Sequence, residues 1–179
     1  MWPYLIILAA IVFIGSLFNK LVRAKNQVEE ASADINVQLK RRFDLIPNLV
    51  ETVKGYMNHE KEVLEKITEL RSQALTTKDF AASDKINSEI SKNIGNIVVA
   101  FENYPDLKAN TNFLSLQTEL VDTENKIQSS RRFYNNVAKD YNILIESIPT
   151  NFFAKMFNHT KKPLLEITAQ EAQNVAVKF

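Results

Sequence analysis

The two histidines and their neighbours are the first residues to test for chemistry. A glutamate follows His59, but the zinc-protease pattern needs a second histidine four residues later, where Val63 stands. A di-iron helical site needs a glutamate three residues before a histidine, and Tyr56 and Met156 occupy those positions before His59 and His159. The chain has no cysteine, so it offers no thiolate ligand or thiol nucleophile. We therefore expect no metal site and no cofactor.

Clustered cations are the second candidate, for a nucleic-acid surface. Lys+Arg number 22 against 21 Asp+Glu, which leaves a net charge of +1, and acidic residues are interleaved with the cations. Nucleic-acid binding usually requires a basic excess on one face. The pattern instead favours solvated helix faces and ion pairs between helices, with no nucleic-acid partner. No two carboxylates are indicated to converge in a cleft, so no catalytic residue is predicted. The cations in question are Lys40, Arg41, Arg42, Arg131 and Arg132.

The first 19 residues carry no charged side chain. As a helix they would extend about 28 Å, close to the ~30 Å of a bilayer's hydrocarbon core, which predicts one membrane crossing. Lys20, Arg23 and Lys25 follow this span, so the positive-inside rule places the N-terminus outside and the C-terminal side in the cytoplasm. A cleaved signal peptide is the alternative. Against it, no cation precedes the apolar run and no small-x-small cleavage site follows it.

Helical periodicity dominates the remaining sequence. Apolar residues spaced by three, four and seven predict one amphipathic helix that continues from the membrane span to Thr76, with a bend at Pro47. A second helix is expected from a cap at Ser83 to Tyr104, and a third, of about 36 residues, from near Asn112 to Ile148.

A short Phe-rich helix, NFFAKMF, follows the third helix. Helices joined by short loops pack most simply as a bundle, so the fold class is all-α, with an antiparallel three- to four-helix bundle. The predicted domains are residues 1–22 as transmembrane anchor, 23–39 as helical stalk, 40–149 as helical bundle, and 150–179 as short helix and C-terminal tail.

Two further expectations follow from counting helices. If the second helix is too short to reach the stalk, the stalk's apolar stripe needs cover from neighbouring copies of the chain. If the third helix rises away from the membrane, NFFAKMF lies at the membrane-distal end and packs onto the far end of the bundle or onto a neighbouring chain. The predicted self-association residues are Val28, Ala31, Ile35 and Leu39.

Four sequence blocks together resemble one bacterial family. QLKRRFDLIPNLVETVKGYMNHE (38–60) is similar to the hallmark segment of LemA proteins, and YPDLKAN (104–110), LQTELVDTENKI (116–127) and RRFYNNVAKDYN (131–142) match its later elements in order. Phe43, Met57 and the tail from Thr150 depart from the family pattern. The motif positions carried over are Lys40, Arg41, Arg42, Asp44, Leu45, Ile46, Pro47, Asn48, Tyr104, Pro105, Asp106 and Leu107.

The resemblance implies a single N-terminal anchor, a helical-bundle domain, the bacterial inner membrane and no established reaction. It also implies membrane proteins with TPM domains as candidate partners, beside the lipid bilayer and the chain itself. The function expected is a non-enzymatic, membrane-anchored scaffold that self-associates and recruits envelope proteins. The alternatives are an enzyme or accessory subunit with a site formed between chains, and a membrane-remodelling protein. DLIPNLV would then supply a core-facing stripe, with KRR on the solvated or ion-paired side.

Overall fold

The structure, a computed structural model, describes residues 2–56, 61–77 and 79–165. Within these residues it contains helices and no strand, which confirms an all-α protein with a long apolar N-terminal helix. The sequence predictions for His59 and for the tail after Leu165 lie outside the described residues. The helices are α1 (Trp2–Lys54), α2 (Lys61–Thr76), α3 (Phe80–Ala100), α4 (Pro105–Lys108), α5 (Thr111–Glu146) and α6 (Thr150–Met156), with a 3₁₀ turn at Phe101–Asn103.

Helix α1 runs without a break from the apolar span into the amphipathic sequence. Every residue from Trp2 to Ser16 is exposed, whereas Leu21 is fully buried, so packing begins where the uncharged segment ends. Among the described helices, α1 alone is long and apolar enough to cross a membrane. Pro47 lies inside α1 with its ring exposed. Its missing N–H removes one backbone hydrogen bond, and the helix continues past it.

The first helix ends earlier than predicted. It was expected to reach Thr76, but α1 stops at Lys54, the residue before Gly55, and α2 begins at Lys61. Glycine costs about 1 kcal/mol in a helix interior, which favours a break there. The larger reason is burial: Ile67 of α2 lies in the same hydrophobic core as Val53 of α1, which one straight helix would not allow. The apolar period continues across the turn, so the turn is invisible to a periodicity argument.

The chain divides into two compact units. The first unit comprises residues up to Ile35 together with Ser129–Leu164, and the second comprises Asn36–Gln128 with the chain from Leu165. Both α1 and α5 therefore contribute residues to both units.

The second unit has one hydrophobic core to which five helices, α1 to α5, contribute. Leu107 of α4 also enters it, fully buried. Asp79 accepts a hydrogen bond from the backbone N–H of Ala82 at 2.7 Å, so α3 begins about a turn before the cap predicted at Ser83. The core residues are Phe43, Ile46, Leu49 and Val53 of α1, Leu64, Ile67, Leu70 and Ala74 of α2, Ile90, Ile94 and Ile97 of α3, and Phe113, Leu116 and Leu120 of α5.

The first unit buries the stripe that was expected to stand alone. Val28, Ala31 and Ile35 are 2%, 0% and 7% exposed. On α5, buried residues recur at spacings of four, three and four, which gives the first unit a second helix with a core-facing stripe. The expectation that the stalk lacks a companion helix is therefore wrong. Burial of its apolar stripe does not require a second chain. The buried residues of α5 are Tyr134, Ala138, Tyr141 and Ile145.

The Phe-rich helix also lies elsewhere than predicted. The ring of Phe157, directly after α6, lies 5.0 Å from the ring of Phe18 at the end of the apolar span. The membrane-distal position predicted for NFFAKMF is wrong because the count of reversals missed the turn between α1 and α2. One more reversal brings the end of α5 back to the unit that contains the start of α1.

The shared core of the second unit can be tested on α3. Ile97 is fully buried and Val99 is 73% exposed. We expect Ile97→Ala to lower the free energy of unfolding by about 2–5 kcal/mol through lost burial and a cavity. Val99→Ala, the matched control, should change it by less than about 0.5 kcal/mol. Chemical unfolding of the detergent-solubilised chain, followed by circular dichroism, measures both. Similar losses in the two variants would contradict this core.

Candidate functional site

The most buried charge of the described chain joins three helices of the second unit. Arg42 of α1 is 1% exposed. Its Nη1 donates to Ser91 Oγ on α3 at 2.7 Å and to Glu124 Oε2 on α5 at 3.1 Å. Its Nη2 donates to Asn87 on α3, to the side-chain Oδ1 at 2.6 Å and to the backbone oxygen at 3.3 Å. We call Arg42, Asn87, Ser91 and Glu124 the arginine network.

The network requires arginine because several acceptors must be satisfied in fixed directions. A buried charge is costly unless it is paired and hydrogen-bonded, and the planar guanidinium fork reaches acceptors on two other helices at once. The Ser91 hydroxyl lies 3.0 Å from both oxygens of Glu124, while Asn87 Nδ2 donates to the backbone oxygen of Ser83 at 2.8 Å. Each member thus orients another, and the network fixes how α1, α3 and α5 meet.

A second, more exposed ion pair lies beside the network. Arg41 Nη1 donates to Asp122 Oδ2 at 3.1 Å, and Lys126 Nζ donates to the same oxygen at 2.9 Å. The hydrogen bond from Lys126, followed by the positive charges of Lys126 and Arg41, holds the pKa of Asp122 below its ordinary value. The side chains of Arg41 and Asp122 are 41% and 45% exposed, so water screens this pair far more than the arginine network.

Family-motif blocks therefore contact one another. Arg41 and Arg42 of the first block bind Asp122 and Glu124 of the third, which is the interhelical ion pairing that the charge pattern favours. Sequence analysis favoured ion pairs between helices but did not assign these carboxylates to these arginines. Because the two arginines are adjacent and the two carboxylates are two residues apart, sequence spacing gives no signal that would have matched them.

The first and second blocks also meet. Asn110 Nδ2 donates to the Tyr56 hydroxyl oxygen at 3.2 Å. Asn110 Oδ1 accepts from the backbone N–H groups of Asn112 and Phe113 at 3.0 and 3.2 Å, so the same side chain caps α5. The last residue of YPDLKAN thus joins the start of α5 to the turn after α1.

The fourth block holds the segment after α6, in the first unit. Asn142 Nδ2 donates to the backbone oxygen of Lys162 and Asn142 Oδ1 accepts from its N–H, both at 2.8 Å. The Tyr134 hydroxyl donates to the backbone oxygen of Pro163 at 2.9 Å. The Tyr141 hydroxyl lies 2.9 Å from His159 Nδ1. Sequence analysis missed these contacts, because a backbone partner leaves no mark in the sequence.

Burial changes the proton affinity of these groups. Burial raises the pKa of Tyr134, and burial followed by the charge of Glu29 raises the pKa of Tyr141, so both phenols stay protonated. The pKa of His159 is lowered, first by burial and then by the charges of Lys25 and Lys162. His159 is therefore held in its neutral form, which suits a hydrogen bond with Tyr141.

The first unit also contains an open cleft of about 770 Å³ between α1 and the end of α5. Lys20 and Arg23 line it from α1, and Asp140 and Tyr141 line it from α5. One carboxylate beside two cations leaves the lining with an excess of positive charge and does not provide the two carboxylates that acid–base catalysis commonly uses. Among the described residues, no group of three His, Asp or Glu side chains could hold a metal ion.

The predicted site residues separate into buried and exposed sets. Ile46 and Leu107 are buried, Leu45 and Tyr104 pack against the core, and Leu39 does so from the stalk. Of the self-association residues, Val28, Ala31 and Ile35, which lie nearest the apolar span in sequence, are buried inside the first unit. The motif positions exposed to solvent are Lys40, Asp44, Pro47, Asn48, Pro105 and Asp106.

The described residues thus form an all-α protein with a long apolar N-terminal helix. Buried polar contacts join its helices. Residues 31–179 match the LemA family, and this chain belongs to it. It is 34% identical to "Protein LemA" of Metamycoplasma hominis, over 80% of this chain and 66% of that protein. It is 20% identical to "Magnetosome protein MamQ 2" of Paramagnetospirillum magneticum, over 83% of this chain and 65% of that protein. The chain thus spans just under two thirds of the length of these relatives.

The arginine network predicts unequal effects for adjacent arginines. Arg42→Ala leaves Glu124 without its buried partner, and we expect a loss of about 3 kcal/mol in the free energy of unfolding. Arg41→Ala removes only an exposed pair and should cost less than about 1 kcal/mol. Arg42→Lys should lose most of the same stability, since one ammonium cannot reproduce the fork. Unfolding measurements in detergent test all three. Equal effects at residues 41 and 42 would contradict the network.

The lowered pKa of His159 predicts that the free energy of unfolding depends on pH. The folded-state pKa of His159 lies below its ordinary value of 6.5, so the unfolded chain binds this proton more readily. The contribution of His159 to the free energy of unfolding is therefore complete above pH 6.5 and is lost as the pH falls. We expect the wild type to lose more stability than His159→Asn between about pH 7.5 and pH 5.5. His59 is present in both proteins, so its titration cancels. Chemical unfolding at each pH measures this difference. Parallel profiles of the free energy of unfolding against pH for the two proteins would contradict the prediction.

Proposed function

We propose that the protein is a membrane-anchored helical scaffold with no reaction of its own, which self-associates and recruits other envelope proteins. The observation that carries this is the continuity of α1. Its first residues are apolar, uncharged and exposed on every side, and the same helix goes on to supply core residues such as Leu21 and Ile46. Family membership and the magnetosome relatives support a membrane-associated, LemA-like protein.

Internal use of the motif side chains supports a structural role for them. Arg42, Asn110 and Asn142 each form hydrogen bonds with other residues of the chain. A reacting group has to face a substrate, whereas these groups face other parts of the chain. In the proposal the helices form an antiparallel bundle whose outer surface is what partners contact.

Orientation follows from charge. The cations after the span, Lys20, Arg23 and Lys25, are exposed. By the positive-inside rule they lie on the cytoplasmic side, which places the N-terminus outside and the packed helices inside the bacterial inner membrane. Partners would then be further copies of the chain, the bilayer, and membrane proteins such as those with TPM domains.

Topology can be tested in intact cells, and the absence of cysteine in the chain makes the test clean. We expect Val99→Cys, at a position 73% exposed, to react with a membrane-impermeant maleimide only after the cells are lysed. The chain should also stay with the membrane in alkaline carbonate. Labelling of residue 99 in intact cells would contradict the proposed orientation. Release of the chain by carbonate would contradict the proposed membrane anchor.

Self-association can be tested on α1 itself. Ile35 is 7% exposed and Val37, two residues later, is 61% exposed. If copies meet along α1 while the first unit stays packed, Val37→Cys should crosslink between chains more strongly than Ile35→Cys. Preferential crosslinking at Ile35 would show that the first unit opens to use the stripe of Val28, Ala31 and Ile35. Crosslinking at neither position, with a monomer in mild detergent, would remove self-association along α1 from the proposal.

A further inference from the structure

Helix α6 buries two small side chains and exposes two large ones on another face, while Phe153 is half-buried. Thr150 and Ala154 are 4% and 1% exposed, whereas Phe152 and Met156 are 69% and 63% exposed. Lys155 is exposed beside them. Positions 152, 155 and 156 lie on one face of a helix, so this face carries two large apolar groups and one cation. Ile148, just before the helix, is 81% exposed.

This exposed face lies where the apolar span ends. Phe157 touches Phe18 ring to ring at 5.0 Å, with the two planes at 66°. From Trp2 to Phe18, α1 extends about 24 Å, most of a hydrocarbon core. If the span crosses a bilayer, Phe18 is at the boundary between acyl chains and headgroups, and α6 is held beside it.

The charges around α6 fit the headgroup layer. Lys20, Arg23 and Lys155 are exposed near the end of the span and on α6. Lys161 Nζ lies 2.6 Å from Glu146 Oε1, so that pair is locally neutral. Aromatic and apolar side chains combined with lysine are the composition of helices that lie in the membrane interface, where the rings enter the acyl boundary and the ammonium groups reach phosphate.

We propose that α6 is a second membrane contact, in which Phe152, Met156 and Phe157 enter the leaflet surface that α1 crosses and Lys155 faces lipid phosphate. This rests on the proposed anchoring by α1 and adds a lipid-binding element more than 130 residues later in the chain. The bilayer, rather than a second copy, is the occupant because the exposed face is contiguous with Phe18 at the end of a lipid-facing helix. Two contacts with one surface would also fix the rotation of the first unit about the span, which a single helix leaves free.

Depth-dependent fluorescence quenching tests the proposal on the full-length chain. Single cysteines at Leu8, Met156 and Phe133 would carry an environment-sensitive dye, in vesicles of phosphatidylcholine and phosphatidylglycerol that contain spin-labelled lipids. Phe133 is the matched control, since it is also exposed, at 53%, and belongs to the same unit. It lies 13 residues before the end of α5 at Glu146, about 20 Å along the helix.

We expect the dye at Met156 to be quenched several-fold more by lipids labelled near the headgroup than by lipids labelled deep in the chain. Leu8 should show the reverse preference, and Phe133 should show little quenching. Omission of phosphatidylglycerol should weaken quenching at Met156 and leave Leu8 unchanged, because only the α6 contact depends on anionic headgroups.

The controls separate the two proposals. Quenching at Leu8 without quenching at Met156 would overturn the α6 contact and leave the anchor in place. No quenching at Leu8 would overturn the anchor itself. Disulfide-linked dimers of Met156→Cys without lipid quenching would show that a second copy covers α6, which also overturns the proposal. Circular dichroism of each variant confirms that the helices are retained.

Discussion

The arginine network is the constraint on which the second unit depends. A guanidinium that is 1% exposed is tolerated only if its charge is paired, and the acceptors for its two terminal nitrogens come from two different helices. Hydrophobic packing alone would allow α3 and α5 to slide against α1 with little loss, since one Ile or Leu replaces another. Hydrogen bonds at fixed distances do not allow this. The network therefore specifies register, while the surrounding Leu and Ile side chains supply most of the burial.

The blocks that identify the family can be understood in the same way. Each places polar groups that lie far apart in the sequence into direct contact. The first block meets the third through Arg41 and Arg42, and it meets the second through Tyr56 and Asn110. The fourth binds the segment after α6 through Asn142. The motif is a set of contacts between distant segments of the chain, and such a set is enough to make it recognisable in sequence.

Local sequence was sufficient for most of the helices and insufficient for their arrangement. Periodicity, with Pro105 and Pro149 as breaks, predicted helices near α3, α5 and α6, because these signals act within a few turns. The turn after Lys54 was missed because Gly55 alone is a weak break and the apolar stripe resumes in α2. That one omission displaced NFFAKMF from the end of the span to the opposite end. A single unrecognised turn changes every later direction, although α3, α5 and α6 lie near the residues predicted for them.

The way the segment after α6 is held affects how freely its sequence can drift. Asn142 and Tyr134 bind backbone atoms of Lys162 and Pro163, and the side chains of those two residues take no part in these bonds. Any residue offers a carbonyl oxygen, and any residue except proline offers an N–H. Mutations at position 162 other than to proline therefore preserve the attachment, while mutations at Asn142 abolish it. Selection on this contact would act on α5 and would leave the residue at position 162 free to change.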